Sequence, residues 1–520
     1  MSKPSQVSGF CSPQRSERIE RASTQPFDIV IIGGGIHGVA LAQVASAMHY
    51  KTLLLEQNDY ASGTSSRSSK MAHGGLRYLE MFDFQQVFEG ITCREDLFVK
   101  APHLVKPERF LIPVRKRDWW FRLKLHIGLR LYDLMVKNPT RRHRWISRSL
   151  LESDVFGESS QDLQGAFEYT DGLMKDARLV YELLVSAEQA GCCAVNHARV
   201  IDVQWMSKES SMEVVWEDKL VQQQHCSTST AVFNCAGPWA PYVQDYLSPK
   251  SRYPVKYSRG THLIFSKPWK YPSLFLPLAE RGRYYFVWPH ASGTMVGTTE
   301  REVEALAQDP IPSKDEEDEI LARLARDLPH QGLTKDSLVS SFAGIRILPL
   351  RHKARRVGGL SRKHIWEKQG AMFSLIGGKY TTFAWTVREG MKLFLQQCKD
   401  DSRDIPSPIQ GLPGYIIEEH SRELIIALQE RHPSLKAGIC RAVERLGRQV
   451  MRYYKRAEAW QELCPGVLVL EVLHAIECEH ATSVEGVLRW RLELTNRETS
   501  NDKVRHAVEV LLAKFGESNR

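Results

Sequence analysis

The sequence predicts an α/β (α+β overall) fold: a parallel-sheet unit, an antiparallel sheet inserted into it, and a helical C-terminal region. Three observations carry this expectation. Residues 28–80 open as strand, glycine-rich turn, alanine-rich helix and second strand. Residues 253–342 read as antiparallel strands with a single acidic helix at 315–328, whose acids read as solvated. From residue 416 onward the apolar spacing is helical.

The first stretch organises the rest. Ile29, Val30, Ile31 and Ile32 form a β-branched run that stops at Gly33-Gly34-Gly35, and Gly38 precedes a helical segment over 39–48. This is G-x-G-x-x-G between a strand and a helix, the setting in which it binds a dinucleotide. Gly33 makes the tight turn, Gly35 lets the backbone approach a pyrophosphate, and Gly38 lets helix and strand pack closely. The helix N-terminus offers free N–H groups and partial positive charge to phosphates. A second strand at 52–55 ends at Glu56, about 20 residues past the glycines, where a ribose-binding carboxylate belongs. The bland alternative, a glycine turn without a ligand, is disfavoured because strand, glycines, helix, second strand and acid all agree. The unit is Rossmann-like.

The glycines do not choose between a nicotinamide and a flavin. The next segment does. Gly63-Thr64-Ser65-Ser66-Arg67-Ser68-Ser69-Lys70 is dense in hydroxyls and bases, and His73-Gly74-Gly75-Leu76-Arg77-Tyr78-Leu79-Glu80 follows. This block resembles the FAD-dependent (aerobic, quinone-linked) glycerol-3-phosphate dehydrogenase family, in which a TSSRSSK-x-x-HGGLRYLE run follows the dinucleotide fingerprint. The resemblance is strong to Glu80, patchy but ordered to Thr382, and weak beyond. It implies a glutathione-reductase/D-amino-acid-oxidase-like architecture with FAD as cofactor. It places Gly33, Gly35, Gly38, Glu56, Thr64, Ser65, Ser69, His73, Gly75, Val200, Gly237, Gly378 and Thr381 against that cofactor. His73 is expected to act non-covalently.

Composition bounds the remaining possibilities. A chain of 520 residues is expected to hold two or three domains. We expect a disordered tail over 1–25 and an FAD-binding domain from 26–108, 165–250 and 340–400. A substrate or cap domain is expected from 109–164 and 251–339, with a helical domain over 405–520. The N-terminal stretch lacks an apolar core and does not read as a secretory signal. No apolar run approaches the roughly 20 residues of a membrane span. Net charge is +9, which suits anionic substrates, an anionic membrane surface or nucleic acid without choosing among them. Ten cysteines without a C-x-x-C pattern suggest neither a disulfide framework nor a zinc site, and no metal is expected.

Between Arg115 and Arg148 lies a basic, aromatic segment. Trp120, Leu123, Ile127, Leu131 and Leu134 recur at helical spacing, with Arg122, Lys124, Arg130 and Lys137 beside them. Two readings stand side by side: a patch that lies on an anionic membrane, or a helix packed on its own domain with a solvated basic face. Farther on, 231–234 is a buried strand closed by Cys235-Ala236-Gly237-Pro238-Trp239, and 374–382 is a strand, a glycine pair and a helix start carrying Lys379. In the C-terminal region, 452–463, 467–478 and 484–494 are the clearest helical pieces.

Oxidising a secondary alcohol on a flavin needs a base for the hydroxyl proton and charges that fix the substrate. A phosphorylated polyol needs cations. Arg77, Arg346, Arg362 and Lys379 come from four separate segments that match the family's motifs, as do Tyr78, His262 and Thr298. The resemblance implies that these seven line the substrate pocket. Arg77, Arg362 and Lys379 are expected to hold phosphate or hydroxyls, and Arg346 to sit by the reacting carbon. His262 is the simplest general base, set against a strand histidine satisfied by a neighbour. The sequence departs from the family at Glu300, where aspartate is usual, and in the proline after Arg346, which arrives only at Pro349. The loop around Arg346 is therefore expected to take a different path.

The expected function is oxidation of sn-glycerol 3-phosphate to dihydroxyacetone phosphate, with electrons passed to a membrane quinone. The expected location is cytoplasmic and peripheral to the cytoplasmic membrane, with a homodimer as the candidate assembly. One alternative is a related FAD oxidase acting on an amino acid, an amine or another hydroxy compound. A more distant one is a basic binding protein that uses 115–148 on nucleic acid.

Overall fold

The computed structural model describes residues 12, 14–76, 83–136, 138–151, 153–156, 162–206, 211–247, 253–278, 283–307, 309–350, 363–400, 402–494 and 501–516. Two large sheets organise them. The first runs in the order Ile365–Gln369, Met372–Ile376, Gln223–Asn234, Phe27–Ile32, Thr52–Leu55, Cys193–Val195. Phe27–Ile32 pairs in parallel with both Gln223–Asn234 and Thr52–Leu55. Parallel strands are buried on both faces and so read as continuous apolar runs. Ile29, Val30, Ile31, Leu53, Leu54, Val232 and Phe233 are accordingly 0% exposed. Helices Ile36–Ala47, Asp176–Gln189 and Phe383–Gln397 share one apolar cluster with this sheet.

The second sheet has ten strands, with the path Arg301–Val303, Val255–Phe265, Gly293–Gly297, Tyr284–His290, Ser273–Pro277, Val105–Arg115, Leu163–Met174, Met71–Ala72. Leu338–Pro349 pairs with Val255–Phe265 along its length. Leu163–Met174 and Leu338–Pro349 thus belong to this sheet, although residues from 165 and from 340 were expected with the nucleotide unit. Long cross-strand pairing, invisible from local periodicity, decides their membership. The segment around Arg346, expected as a loop, is strand. Arg346 sits inside this strand, in register with Ser258, and the strand runs on to Pro349. The acidic helix Lys314–Asp327 is not wholly solvated either. Glu316 is 0% exposed, accepts from Thr299 Oγ1 at 2.8 Å, and pairs with Arg259 at 2.7 Å.

Two further corrections concern the chain ends. Residues 14–25 were expected to be disordered, yet Arg15–Thr24 is a helix with Arg15, Arg18 and Ala22 buried. Arg15 Nη1 donates to the Asn196 carbonyl at 2.8 Å and its Nη2 pairs with Asp218 at 2.8 Å, while Arg18 donates to the Ala194 carbonyl at 3.0 Å. Partners this distant in sequence leave no local signal. In the C-terminal region Glu418–Arg431, Lys436–Leu446, Val469–Glu479 and Asp502–Phe515 are α-helices. The helix expected over 452–463 is replaced by 3-10 turns, Gly447–Tyr453 and Ala457–Trp460, and a short strand, Glu462–Cys464. Trp460 Nε1 donates to the Tyr453 carbonyl at 2.9 Å, and Gly466 at φ 77° turns the strand back on itself.

The C-terminal region is tied to the nucleotide unit by buried ion pairs. Arg491 pairs with Asp59 at 2.5 Å, Arg178 with Glu479 at 2.6 Å, and Lys70 with Glu493 at 2.8 Å. The basic segment forms the helix Trp119–Met135. Leu129 and Tyr132 face inward, while Trp119, Trp120, Leu123, Ile127, Leu131 and Leu134 are all exposed, Leu134 to 83%. Among the described residues no helix is long and apolar enough to cross a membrane.

Candidate active site

A cavity of about 580 Å³ opens where the glycine turn, the hydroxyl-rich loop and the two sheets meet. Gly33, Gly35, Glu56, Thr64, Ser65, Ser69, His73, Val200, Gly237, Arg346, Gly378, Lys379 and Thr381 all line it. The walls therefore collect residues from seven segments that sequence reading had joined only by motif. Gly38 and Gly75 do not line it. Gly38 acts one layer below, where a Cβ would meet the Gly33 carbonyl oxygen at 1.9 Å. Gly75 holds a left-handed turn at φ 77°. Arg77, Tyr78 and Arg362 lie outside the described residues.

The glycine turn is built as its spacing demands. At Gly33, φ is 109°, and a Cβ would meet the Cys235 carbonyl oxygen at 2.6 Å, so only glycine fits. Glu56 holds the turn from below. The Gly34 N–H donates to its Oε2 at 2.6 Å and the Asn58 N–H to its Oε1 at 2.7 Å. Burial, the larger effect, raises the Glu56 pKa against these two donors.

The hydroxyls of the loop have partners that sequence could not show. Thr64 Oγ1 donates to the Ile345 carbonyl at 2.7 Å, tying the loop to the second sheet. The Ile36 N–H, at the start of the nucleotide helix, donates to Ser65 Oγ at 2.9 Å. The Ser65 proton is thereby left for an acceptor in the cavity. Ser68 Oγ donates to Asp176 Oδ2 at 2.6 Å, and Lys70 Nζ donates to Asp176 at 2.6 Å as well as to Glu493. The His73 N–H donates to Thr381 Oγ1 at 3.3 Å, and the Gly74 N–H to Asp171 at 2.9 Å. The loop is held from both sides.

On the substrate side, Arg346 Nη2 reaches Thr298 Oγ1 at 3.5 Å. Both lie over Gly260, where a Cβ would come within 2.7 Å of each. His262 is not on the cavity wall. It is 1% exposed and stacked on Phe342 at 5.1 Å, with its Nε2 3.0 Å from Ser69 Oγ. Burial first, then Arg346 and Lys70, hold its pKa well below the usual imidazole value.

Among the wall residues that sequence reasoning missed are His37, Tyr242 and Tyr246. His37, inside the fingerprint, lines the cavity with a buried Nε2 that has no hydrogen-bond partner among the described residues. Burial, followed by His364, lowers its pKa to about 3. Its place between Gly35 and Gly38 was the available signal. Tyr242 and Tyr246 line the side near Val200, from a helix with no motif of its own.

These features fit a flavin dinucleotide. The volume lies within the several hundred Å³ of cofactor sites. The turn leaves no room for side chains where a pyrophosphate approaches, and the imidazole and the serine hydroxyl offer polar atoms to a ligand. The comparisons with known proteins agree. The sequence profile of the FAD dependent oxidoreductase family matches residues 28–384, and the chain belongs to that family. It is 29% identical over 397 residues to the aerobic glycerol-3-phosphate dehydrogenase of Staphylococcus saprophyticus, covering 75% of this chain and 71% of that protein. It is 29% identical over 495 residues to the glycerol-3-phosphate dehydrogenase of Synechocystis, covering 89% and 88%. Among solved structures it superposes on the Bacillus halodurans glycerol-3-phosphate dehydrogenase complexed with FAD, with a TM-score of 0.75 and 22% identity over 97% of this chain and 94% of that one. It also superposes on the Mycoplasma pneumoniae L-alpha-glycerophosphate oxidase with FAD bound, with a TM-score of 0.58 and 15% identity over 76% and 99%. The fold is that of an FAD-dependent oxidoreductase with a helical C-terminal region.

Proposed function

We propose that this oxidoreductase converts sn-glycerol 3-phosphate to dihydroxyacetone phosphate and passes the electrons to a membrane quinone. The observation that carries the reading is the meeting, in one cavity, of a dinucleotide turn with Arg346 and Lys379. A carboxylate substrate needs a clamp, whereas a phosphate dianion rewards several cations. Relatives named as glycerol-3-phosphate dehydrogenases support the same choice.

FAD, when bound, supplies the acceptor for the electron pair of the substrate C–H bond. Gly33, Gly35, Ser65 and Glu56 hold its dinucleotide end, and Thr381, Gly378 and His73 line the same cavity. Arg346, placed by Thr298 and Gly260, and Lys379, after the glycine pair, hold the phosphate and the hydroxyls. Arg77, Tyr78 and Arg362 complete this set in the proposal. The proton of the substrate hydroxyl leaves to a group on the wall, where His73 stands.

The exposed apolar stripe of Trp119–Met135 favours the membrane reading of the basic segment over the packed-helix reading. Six large apolar side chains face outward beside Arg122, Lys124 and Arg130. That surface brings the enzyme to a lipid-dissolved acceptor. The test is steady-state turnover of the FAD-loaded protein with glycerol 3-phosphate and a short-chain quinone. We expect quinone reduction at well above the rate of oxygen consumption. Hydrogen peroxide formed as fast as substrate is consumed would replace the quinone with oxygen.

A further inference from the structure

His262 holds the position at which a general base was expected, yet its surroundings argue otherwise. Its Nε2 points at Ser69 Oγ, 3.0 Å away, and Ser69, not His262, is on the cavity wall. One face of the ring is stacked on Phe342, with interplanar angle 16°, and Trp288 meets its edge at 6.1 Å. Gly297 closes the remaining side, where a Cβ would overlap His262 Cδ2 at 2.3 Å. Among the described residues, the hydrogen-bond partner of Nε2 is Ser69, which does line the cavity.

The other ring nitrogen decides the tautomer. Nδ1 is buried and has no hydrogen-bond partner among the described residues. If Nδ1 carried the proton, a buried N–H donor would go unsatisfied. If Nε2 carries it, Nδ1 is only a bare acceptor, the better tolerated of the two deficits. The Nε2–H then donates to Ser69 Oγ, and the serine proton must point elsewhere. The serine backbone is fixed on both sides, through Ser68 and Lys70 to Asp176. Two cations face the imidazole, Lys70 from the loop and Arg346 from the strand, and both oppose a positive charge on it.

We infer that His262 is not the proton acceptor of the reaction but a neutral positioning residue, whose Nε2–H holds Ser69 Oγ so that the serine hydroxyl donates into the cavity. Ser69 is then the group that touches what is bound, and His262 acts through it. This rests on the reading of the cavity as the glycerol 3-phosphate site, but the tautomer does not.

Two measurements test it. The first is nitrogen-15 NMR of the FAD-loaded protein labelled at histidine, with His262 assigned by loss of its signals in His262→Gln. The expected result is a protonated Nε2 and a bare Nδ1 from pH ~5.5 to ~8.5; a protonated Nδ1, or an imidazolium forming in that range, overturns the proposal without any substrate being present. The second is the rate of anaerobic flavin reduction at saturating glycerol 3-phosphate. His262→Gln keeps an amide N–H for the serine and should stay within about threefold of wild type, whereas His262→Leu and Ser69→Ala should each lose about tenfold or more, the size of one buried hydrogen bond. The double variant should be no slower than Ser69→Ala. A His262→Gln rate lower by about 10²-fold, together with loss of a low-pH limb seen in wild type, would make His262 the base and overturn the proposal. If His262→Leu does not fold, His262→Gln and Ser69→Ala still decide. A wild type that glycerol 3-phosphate does not reduce sinks the substrate reading instead, and the NMR result then judges the tautomer alone.

Discussion

Ser65 shows how one hydroxyl serves both fold and site. It accepts from the first N–H of the nucleotide helix, and its own proton remains for a ligand. Glu56 is similar, because both carboxylate oxygens already accept from the backbone of the turn they support. Glu56→Ala should therefore weaken FAD binding through a loosened turn. Titration of the apoprotein with FAD, followed by fluorescence quenching, should show an affinity lower by about tenfold or more, as expected for two unsatisfied buried donors; unchanged affinity would remove Glu56 from the cofactor site. At Gly297 the constraint is steric. Gly297→Ala drives a methyl into the His262 ring and should cost about 1–3 kcal/mol in urea unfolding, the usual penalty of overpacking. A stability equal to wild type would mean that strand and ring part easily.

Among the elements, the hydroxyl loop and Glu493, just after the C-terminal turn Gly486–Arg491, depend on one another. Lys70 joins Asp176 to Glu493, and Glu493 also pairs with Arg445 at 3.0 Å. Burial alone would raise the Glu493 pKa, but Lys70 and Arg445 outweigh it and hold the group well below the ordinary carboxylate range. A depressed carboxylate contributes stability above its unfolded pKa, about 4.3, and loses that contribution as pH falls through the folded value. Glu493→Gln leaves two buried cations short of a partner and should cost about 3–5 kcal/mol at pH 7. The gap to wild type should narrow below pH ~4. Urea unfolding at several pH values measures this, and a gap that does not change with pH would assign the loss to packing.

The same elements show what the sequence could and could not reveal. Gly33, Gly35, Gly38 and Glu56 were legible because the chemistry of a dinucleotide turn is local, all within one strand–turn–helix–strand unit. The position of Ser69 and Lys379 on the cavity wall was legible only through the family's motifs. The pairing of Ser69 with His262 spans 193 positions and left no pattern. The N-terminal helix was missed for the same reason, since Arg15 and Arg18 look like surface charges until Asp218 and Ala194 are placed beside them. Glu316 looked like one acid among many on a solvated helix, and only the position of Thr299 and Arg259 makes it buried.

For the whole molecule, two surfaces frame the proposed electron path: the cavity between the sheets, and the exposed helix Trp119–Met135. With a net charge of +9, attraction to anionic lipid would be long-ranged and weakened by salt. Trp120→Glu combined with Leu134→Glu should abolish co-sedimentation with vesicles containing phosphatidylglycerol while leaving FAD content unchanged. Binding that survives both charges would move the membrane surface elsewhere on the molecule.

The central claim is that this cavity oxidises a phosphorylated polyol on a flavin. The most direct measurement is anaerobic mixing of the FAD-loaded protein with glycerol 3-phosphate, with glycerol as the control, following the oxidised-flavin absorbance near ~450 nm. Rapid bleaching with glycerol 3-phosphate and none with glycerol is the predicted result. Fully loaded protein that stays yellow with glycerol 3-phosphate, and bleaches with an amino acid or another hydroxy acid, would contradict the substrate and leave only the fold and the cofactor.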